Sequence, residues 1–155
     1  MVLLSGDIKQ TYLRNYKKKA IRVLTKAKYN AHTMPLLKQE NLLSLEDMYK
    51  LNCLKFYHKY LNSNLPEYFQ GFYGRANRTY NTRNTLPDIQ HTRTNLAKNR
   101  IRHYIPNLLR NTSESVLSKL STHSLKGFSE YTKRYYIEKY QSTCSILNCY
   151  ICNDT

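Results

Sequence analysis

The chain has 155 residues with 25 Lys plus Arg against 10 Asp plus Glu, a formal net charge of +15, and 41% hydrophobic residues. One domain of ordinary size can therefore build a core, which excludes a disordered polycation. Only four glycines occur, Gly6, Gly71, Gly74 and Gly127, too few for a glycine-rich phosphate cradle or a dinucleotide fingerprint.

Met1 to Leu4 is a short apolar start followed by Ser5, Gly6 and Asp7 and then by lysines, the reverse of a secretory signal. Apolar runs never approach the roughly 20 residues that span a bilayer. These features predict a soluble, intracellular protein, cytoplasmic or nuclear, with no membrane partner. The first predicted element is an amphipathic helix over Lys9 to Lys28. Ile8, Tyr12, Tyr16 or Ala20, Val23, Leu24 and Ala27 recur at three- and four-residue steps as its buried stripe, leaving a basic outer face. Asn30 and His32 end it.

Thr33 followed by Pro35 predicts a short helix to about Glu40. Ser44 then stands where an N-cap would, with Glu46 and Asp47 in the first turn, where the helix dipole favours acids. From there Leu45, Met48, Tyr49, Leu51 or Asn52, Leu54 or Lys55, Phe56, Tyr57, Tyr60 and Leu61 define a second long helix, stopped by Asn62 to Pro66. Between Phe72 and Thr94 the pattern lapses into Asn, Arg, Thr and Gly, which predicts an irregular loop with a short strand at Leu86 to His91 as an option. Leu96, Arg100 or Ile101, Tyr104 and Ile105 begin another helix, ended or kinked by Pro106. A turn or short helical piece over Leu108 to Thr112, a short helix over Ser113 to Leu120 and a last helix capped by Thr122 and ending near Tyr140 complete the pattern. The fold class expected is mainly α: a small helical domain of five to six helices with an Asn/Arg-rich central loop and an irregular Cys-containing tail. Its segments are 1–70, a basic helix plus helical hairpin; 71–94, the loop; 95–143, the C-terminal helices; and 144–155, the tail.

The charge is localised. Residues 1–29 hold eight bases (Lys9, Arg14, Lys17, Lys18, Lys19, Arg22, Lys26 and Lys28) and one acid, Asp7. Residues 75–110 repeat that balance with Arg75, Arg78, Arg83, Arg93, Lys98, Arg100, Arg102 and Arg110 against Asp88. Two basic runs with almost no compensating acids favour a polyanion, RNA or DNA bound without sequence preference, over a pair of solvated helix faces. The binding residues expected are Lys17, Lys18, Lys19, Arg22, Lys26 and Lys28 in the first run and Arg93, Lys98, Arg100 and Arg102 in the second. Tyr12, Tyr16 and Tyr29 interleave with the first run, where they either stack on bases or pack in the core.

Chemistry is sparse by comparison. Two-metal phosphoryl transfer needs clustered carboxylates, yet the four Asp (Asp7, Asp47, Asp88 and Asp154) never adjoin one another, and Glu46 with Asp47 reads as a helix start. No catalytic residue is assigned. Cys144, Cys149 and Cys152 form a C-x4-C-x2-C arrangement whose last pair has the spacing of half a zinc knuckle; His123 is the residue that would complete four ligands. The competing reading is three reduced thiols with no cofactor. Cys53, in the long helix, reads as core. His32 and His123 adjoin Thr33 and Thr122 at helix starts, where capping explains them, and His58, His91 and His103 read as surface or hydrogen-bonded core histidines.

Beyond composition, an ordered set of short strings stands out: Lys17 to Arg22 (KKKAIR), Ala27 to Thr33 (AKYNAHT), Pro35 to Lys38, Leu45 to Leu51 (LEDMYKL), Leu54 to Tyr57, Leu65 to Phe69 (LPEYF) and Asn148 to Cys152 (NCYIC). Tyr80 to Asn84, Thr92 to Lys98 and Thr122 to Phe128 add weaker echoes. Together they resemble, over nearly the whole chain, the C-terminal part of reverse transcriptases of jockey-like non-LTR retrotransposons. What the resemblance implies is the thumb and post-polymerase region of an RNA-directed DNA polymerase, its basic helices against a template–primer duplex. The polymerase aspartates of that family lie in a palm upstream of the matched segment and have no counterpart here, so the implied fragment binds without catalysing. The start at Met1 suggests a truncated element copy or a piece of a longer chain that would carry the palm. The alternative is a small helical interaction or structural protein with no nucleic-acid partner, zinc-stabilised or not.

Overall fold

A computed structural model describes residues 5–73 and 100–140, together with Leu86, Pro87, Ile89, Arg93 and Thr94; side chains are described from Tyr12 onward. The protein is mainly helical, with no strand among the described residues. In chain order the helices are α1 (Ser5–Leu24), α2 (Thr33–Gln39), α3 (Leu45–Leu61), a 3-10 turn (Glu67–Phe69), α4 (Ile101–Arg110), the single turns α5 (Glu114–Leu117) and α6 (Lys119–Thr122), and α7 (Leu125–Glu138). The contacts divide the chain into two compact units, residues 1–48 with 133–155 and residues 49–132. The strand option at Leu86 to His91 falls mostly outside the described residues, as does the tail.

In the first unit the apolar stripe foreseen for α1 exists, but it does not face a core. Tyr12, Leu13, Tyr16, Val23 and Leu24 are all exposed, and among the described side chains of α1 the buried one is Ile21. At about 100° per residue, Ile21 falls on the opposite side of the helix from Tyr12. Polar bonds supplement that thin contact. Lys17, half-buried beside Ile21 on the inner side, donates its ammonium to the Leu43 carbonyl. Burial pushes the Lys17 pKa down, and the Asp47 carboxylate partly restores it. Leu37, Leu43, Ile137 and Tyr140 are the other buried apolar residues of this unit among those described.

The start of α3 is as the sequence predicts and is then elaborated. Ser44 Oγ accepts the Asp47 N–H at 3.1 Å, the ordinary N-cap bond, and donates to Asp47 Oδ2 at 2.6 Å. In a capping box the third-position acid would turn back to the N-cap amide. Here a phenol stands between them: the Ser44 N–H donates to Tyr140 Oη at 2.9 Å, and Tyr140 Oη donates to Asp47 Oδ2 at 2.5 Å. Lys38 Nζ donates to the Tyr140 carbonyl at 2.8 Å, fixing the same residue from its backbone side.

Three helices end on a shared device. At the end of α1 the Ala27 N–H reaches the Arg22 carbonyl and the Lys26 N–H the Val23 carbonyl, with Lys26 at φ 52°. Asn41 after α2 (φ 53°) and Ser63 after α3 (φ 53°) repeat the pattern, through Leu42 N–H to Leu37 and Asn64 N–H to Lys59. These are Schellman ends, in which glycine is the usual left-handed residue. A chain with four glycines places Lys, Asn and Ser there instead. That choice hides the stop, which is why α1 ends at Leu24 and not at Lys28 as expected.

The second unit is built round α3 and α7. Leu51, Cys53, Leu54, Tyr57, Ile105, Leu109, Val116, Leu120 and Phe128 are buried, as expected for Cys53, whose thiol burial pushes up in pKa. Pro106 does not end its helix: α4 runs through it to Arg110, because Ile105, Pro106, Leu108 and Leu109 are buried together. The missing Pro N–H costs the helix one bond, which the apolar burial of about 1.5–3 kcal/mol per side chain outweighs. At the other end Arg100 sits at the N-cap in an extended conformation, so the helix begins at Ile101. The cap of α7 is Ser124, which accepts the Gly127 N–H at 3.3 Å, and not Thr122, whose hydroxyl bonds the Ser118 carbonyl at 3.1 Å.

Candidate nucleic-acid interface

Successive basic residues of α1 meet different fates because a helix turns them to different sides. Lys17 turns inward to the Leu43 carbonyl and is not available to an anion. Arg22 is half-buried, and its Nε donates to the Ala31 carbonyl at 2.9 Å, tying the loop after α1 back against the helix. Lys18 and Lys19 are exposed, and neither has a hydrogen bond or ion pair among the described residues. Lys26 and Lys28 are exposed on the returning loop, Lys26 as the left-handed residue of the Schellman end.

Tyr12, Asn15, Tyr16, Lys18, Lys19 and Arg22 share one side of α1, and the returning loop brings Tyr29 to face them, enclosing a cleft of about 330 Å³. No carboxylate lines it among the described residues. The rings of Tyr12, Tyr16 and Tyr29 are 61%, 66% and 84% exposed, and none contacts another ring among the described residues. Of the two readings open to these tyrosines, packing in a core is therefore set aside. The cleft itself was not legible, since the sequence does not announce that Arg22 ties back the loop carrying Tyr29; Asn15 was missed for the same reason.

The second basic run is described only in part. Arg93, Arg100 and Arg102 are exposed, and Lys98 lies outside the described residues. The Arg102 guanidinium stands over the Phe72 ring at 5.4 Å from its centroid, a cation–π contact that holds the charge near the surface of the second unit.

Of the four expected metal ligands, Cys144, Cys149 and Cys152 lie outside the described residues. His123 is described: its Nδ1 is 2.9 Å from Thr122 Oγ1, and its carbonyl accepts from His58. Among the described residues no three His, Cys, Asp or Glu stand together as a metal site. His32 occupies the N-cap of α2 without a side-chain cap bond. His58 is the hydrogen-bonded core histidine expected. His103 is half-buried, with Nδ1 buried and without a partner among the described residues. No described helix is long and apolar enough to cross a membrane.

No family model, curated protein or solved structure matches the chain.

Proposed function

We propose that this protein is a non-catalytic nucleic-acid-binding module that contacts phosphate backbones through the outer side of α1. The observation that carries the reading is the pair Lys18 and Lys19, exposed and unpaired among the described residues, in a cleft whose lining holds no carboxylate among those residues. Lysines held on phosphate release condensed counterions, so such binding weakens steeply with salt. Arg93, Arg100 and Arg102 supply a second basic surface on the other unit. The resemblance of the quoted strings to the thumb and post-polymerase region of jockey-like reverse transcriptases supplies the more specific form of the proposal: a part of an RNA-directed DNA polymerase that holds template and primer, the catalytic palm of that family lying upstream of the matched region. The scattered aspartates support the non-catalytic part.

The test is binding of a labelled oligonucleotide by the full chain over a salt series, with and without the double charge reversal Lys18→Glu/Lys19→Glu. Each lysine on a phosphate contributes about 0.7–0.9 to the slope of log affinity against log salt, so the reversal is expected to lower that slope by well over one. Binding indifferent to both salt and the reversal overturns the reading.

A second reading, a helical protein-interaction module without nucleic acid, is favoured by one observation: Leu13, Val23 and Leu24 are 60–78% exposed on α1. It predicts that the charge reversal leaves partner binding intact while Val23→Ser and Leu24→Ser abolish it.

A further inference from the structure

Resting on the nucleic-acid reading and narrowing it, we propose that the cleft between α1 and its returning loop takes a single-stranded segment, with bases stacked on Tyr12, Tyr16 and Tyr29 and phosphates on Lys18 and Lys19. Three observations converge. The rings are the most conspicuous apolar surface of the cleft, and their faces are unoccupied by other rings among the described residues. They alternate with cations on the same side of the helix: Lys19 is three residues beyond Tyr16, so one strand meets ring and charge within a single turn. The loop that supplies Tyr29 is tied by the Arg22–Ala31 hydrogen bond and the Schellman end at Lys26, so the third ring is placed opposite the first two before any ligand arrives.

A duplex presents phosphates and groove edges but hides base faces, so it would engage the lysines and leave the three rings idle. A single strand uses both, since base–aromatic stacking tolerates any sequence and adds to backbone attraction. An anionic membrane surface would engage Leu13, Val23 and Leu24, which are exposed on α1 beside the tyrosines; the cleft lining, among the described residues, holds rings and cations without those aliphatic side chains, which favours the strand as its occupant.

The experiment measures affinity of the full chain for a labelled oligothymidylate, for the same strand annealed to oligoadenylate, and for vesicles containing anionic lipid. The proteins compared are the unaltered chain, Tyr12→Ala/Tyr16→Ala/Tyr29→Ala, the matching triple Phe variant, and Lys18→Glu/Lys19→Glu. Because all three rings are exposed, the substitutions leave the fold intact, and circular dichroism checks this. Stacking on even one ring is worth roughly five-fold or more in affinity. The expected result is therefore at least a ten-fold loss of single-strand binding in the Ala triple, less than two-fold loss on the duplex, and retention in the Phe triple. Equal loss on strand and duplex, no loss on either, or tighter binding to vesicles than to the strand overturns the proposal. If the lysine reversal alone abolishes binding while the Ala triple changes nothing, stacking fails and the backbone reading stands. If neither variant changes binding, both fall.

Discussion

The ring of His58 donates its Nε2–H to the backbone carbonyl of His123 at 2.8 Å, joining residues 65 positions apart. A carbonyl can only accept, so the proton is on Nε2 and Nδ1 is left to accept from the Asn62 amide at 3.3 Å. The same ring lies nearly parallel to Phe128, 5.3 Å between centroids. His58 is 4% exposed, so both its nitrogens find partners inside the second unit. His58→Phe keeps the stack but strands the His123 carbonyl. A loss of about 1–3 kcal/mol is expected, read as a lower urea midpoint with an unchanged slope. An unchanged midpoint would show that the hydrogen bond carries no net stability.

The phenol of Tyr140 serves the Ser44 amide and the Asp47 carboxylate together. Tyr140→Phe preserves the buried ring and leaves both without their bridging partner. About 1–2 kcal/mol of destabilisation is expected, on the scale of losing a helix cap, with thermal melting as the measurement. Ser44→Ala in the Tyr140→Phe background should cost less than in the unaltered chain, because the two hydroxyls converge on one carboxylate oxygen. Strict additivity would argue that they act separately.

Alkali should unfold the protein through its tyrosines. Burial raises the pKa of Tyr49 to about 12, helped by the neighbouring Cys53 thiol; it also raises Tyr73 and Tyr140, the last assisted by Asp47. Each folded value lies above the ordinary 10.0, so the contribution of each is complete below pH 10 and is lost as pH climbs through the folded values. Lys17 has the opposite sign: its folded value is lowered, so its contribution improves with pH up to 10.5. Three losses outweigh one gain. Tyrosinate absorbance should rise in two waves, the later coinciding with loss of helical dichroism. A single wave near pH 10 with helix retained would contradict this.

Lys26 occupies a left-handed position that disfavours any residue with a Cβ by roughly 1–2 kcal/mol. Lys26→Gly relieves that strain and adds chain entropy to the unfolded state, leaving a net gain of about 0.5–1 kcal/mol. Ser63→Gly should behave alike, with Tm as the measurement. A fall in Tm would mean that the Lys26 side chain makes a contact worth more than the strain.

Thr132 is fully buried, and its Oγ1 has no hydrogen-bond partner among the described residues. Thr132→Val fills the same space without the hydroxyl, so stability should hold or rise by about 1 kcal/mol. A loss of that size would reveal a hydrogen bond to a residue outside those described.

The helices that could be read from the sequence are those whose ends use common signals. Ser44 with Asp47 marks the start of α3, and Asn62 to Pro66 its end; both hold. Leu24 was passed over because a lysine, not a glycine, makes the turn. Local chemistry makes Pro106 a stop or a kink, and the burial of its neighbours carries the helix through it to Arg110. For the candidate site, the pattern of rings among lysines is visible in residues 12–29, but which side of α1 meets the protein is not. A stripe of Tyr, Val and Leu looks like a core face until Ile21, half a turn away, is found to fill that role. Nothing local to residues 44–47 points to Tyr140.

Synthesis order gives that last bridge another meaning. The ribosome finishes the residues of α3 long before it reaches Tyr140, 96 positions beyond Ser44. Until then the Ser44 amide and the Asp47 carboxylate lack the phenol that joins them. Among the described residues, the polar bonds of the first unit that span the most sequence thus wait for residue 140, and a chain interrupted anywhere before it leaves the start of α3 without its bridge.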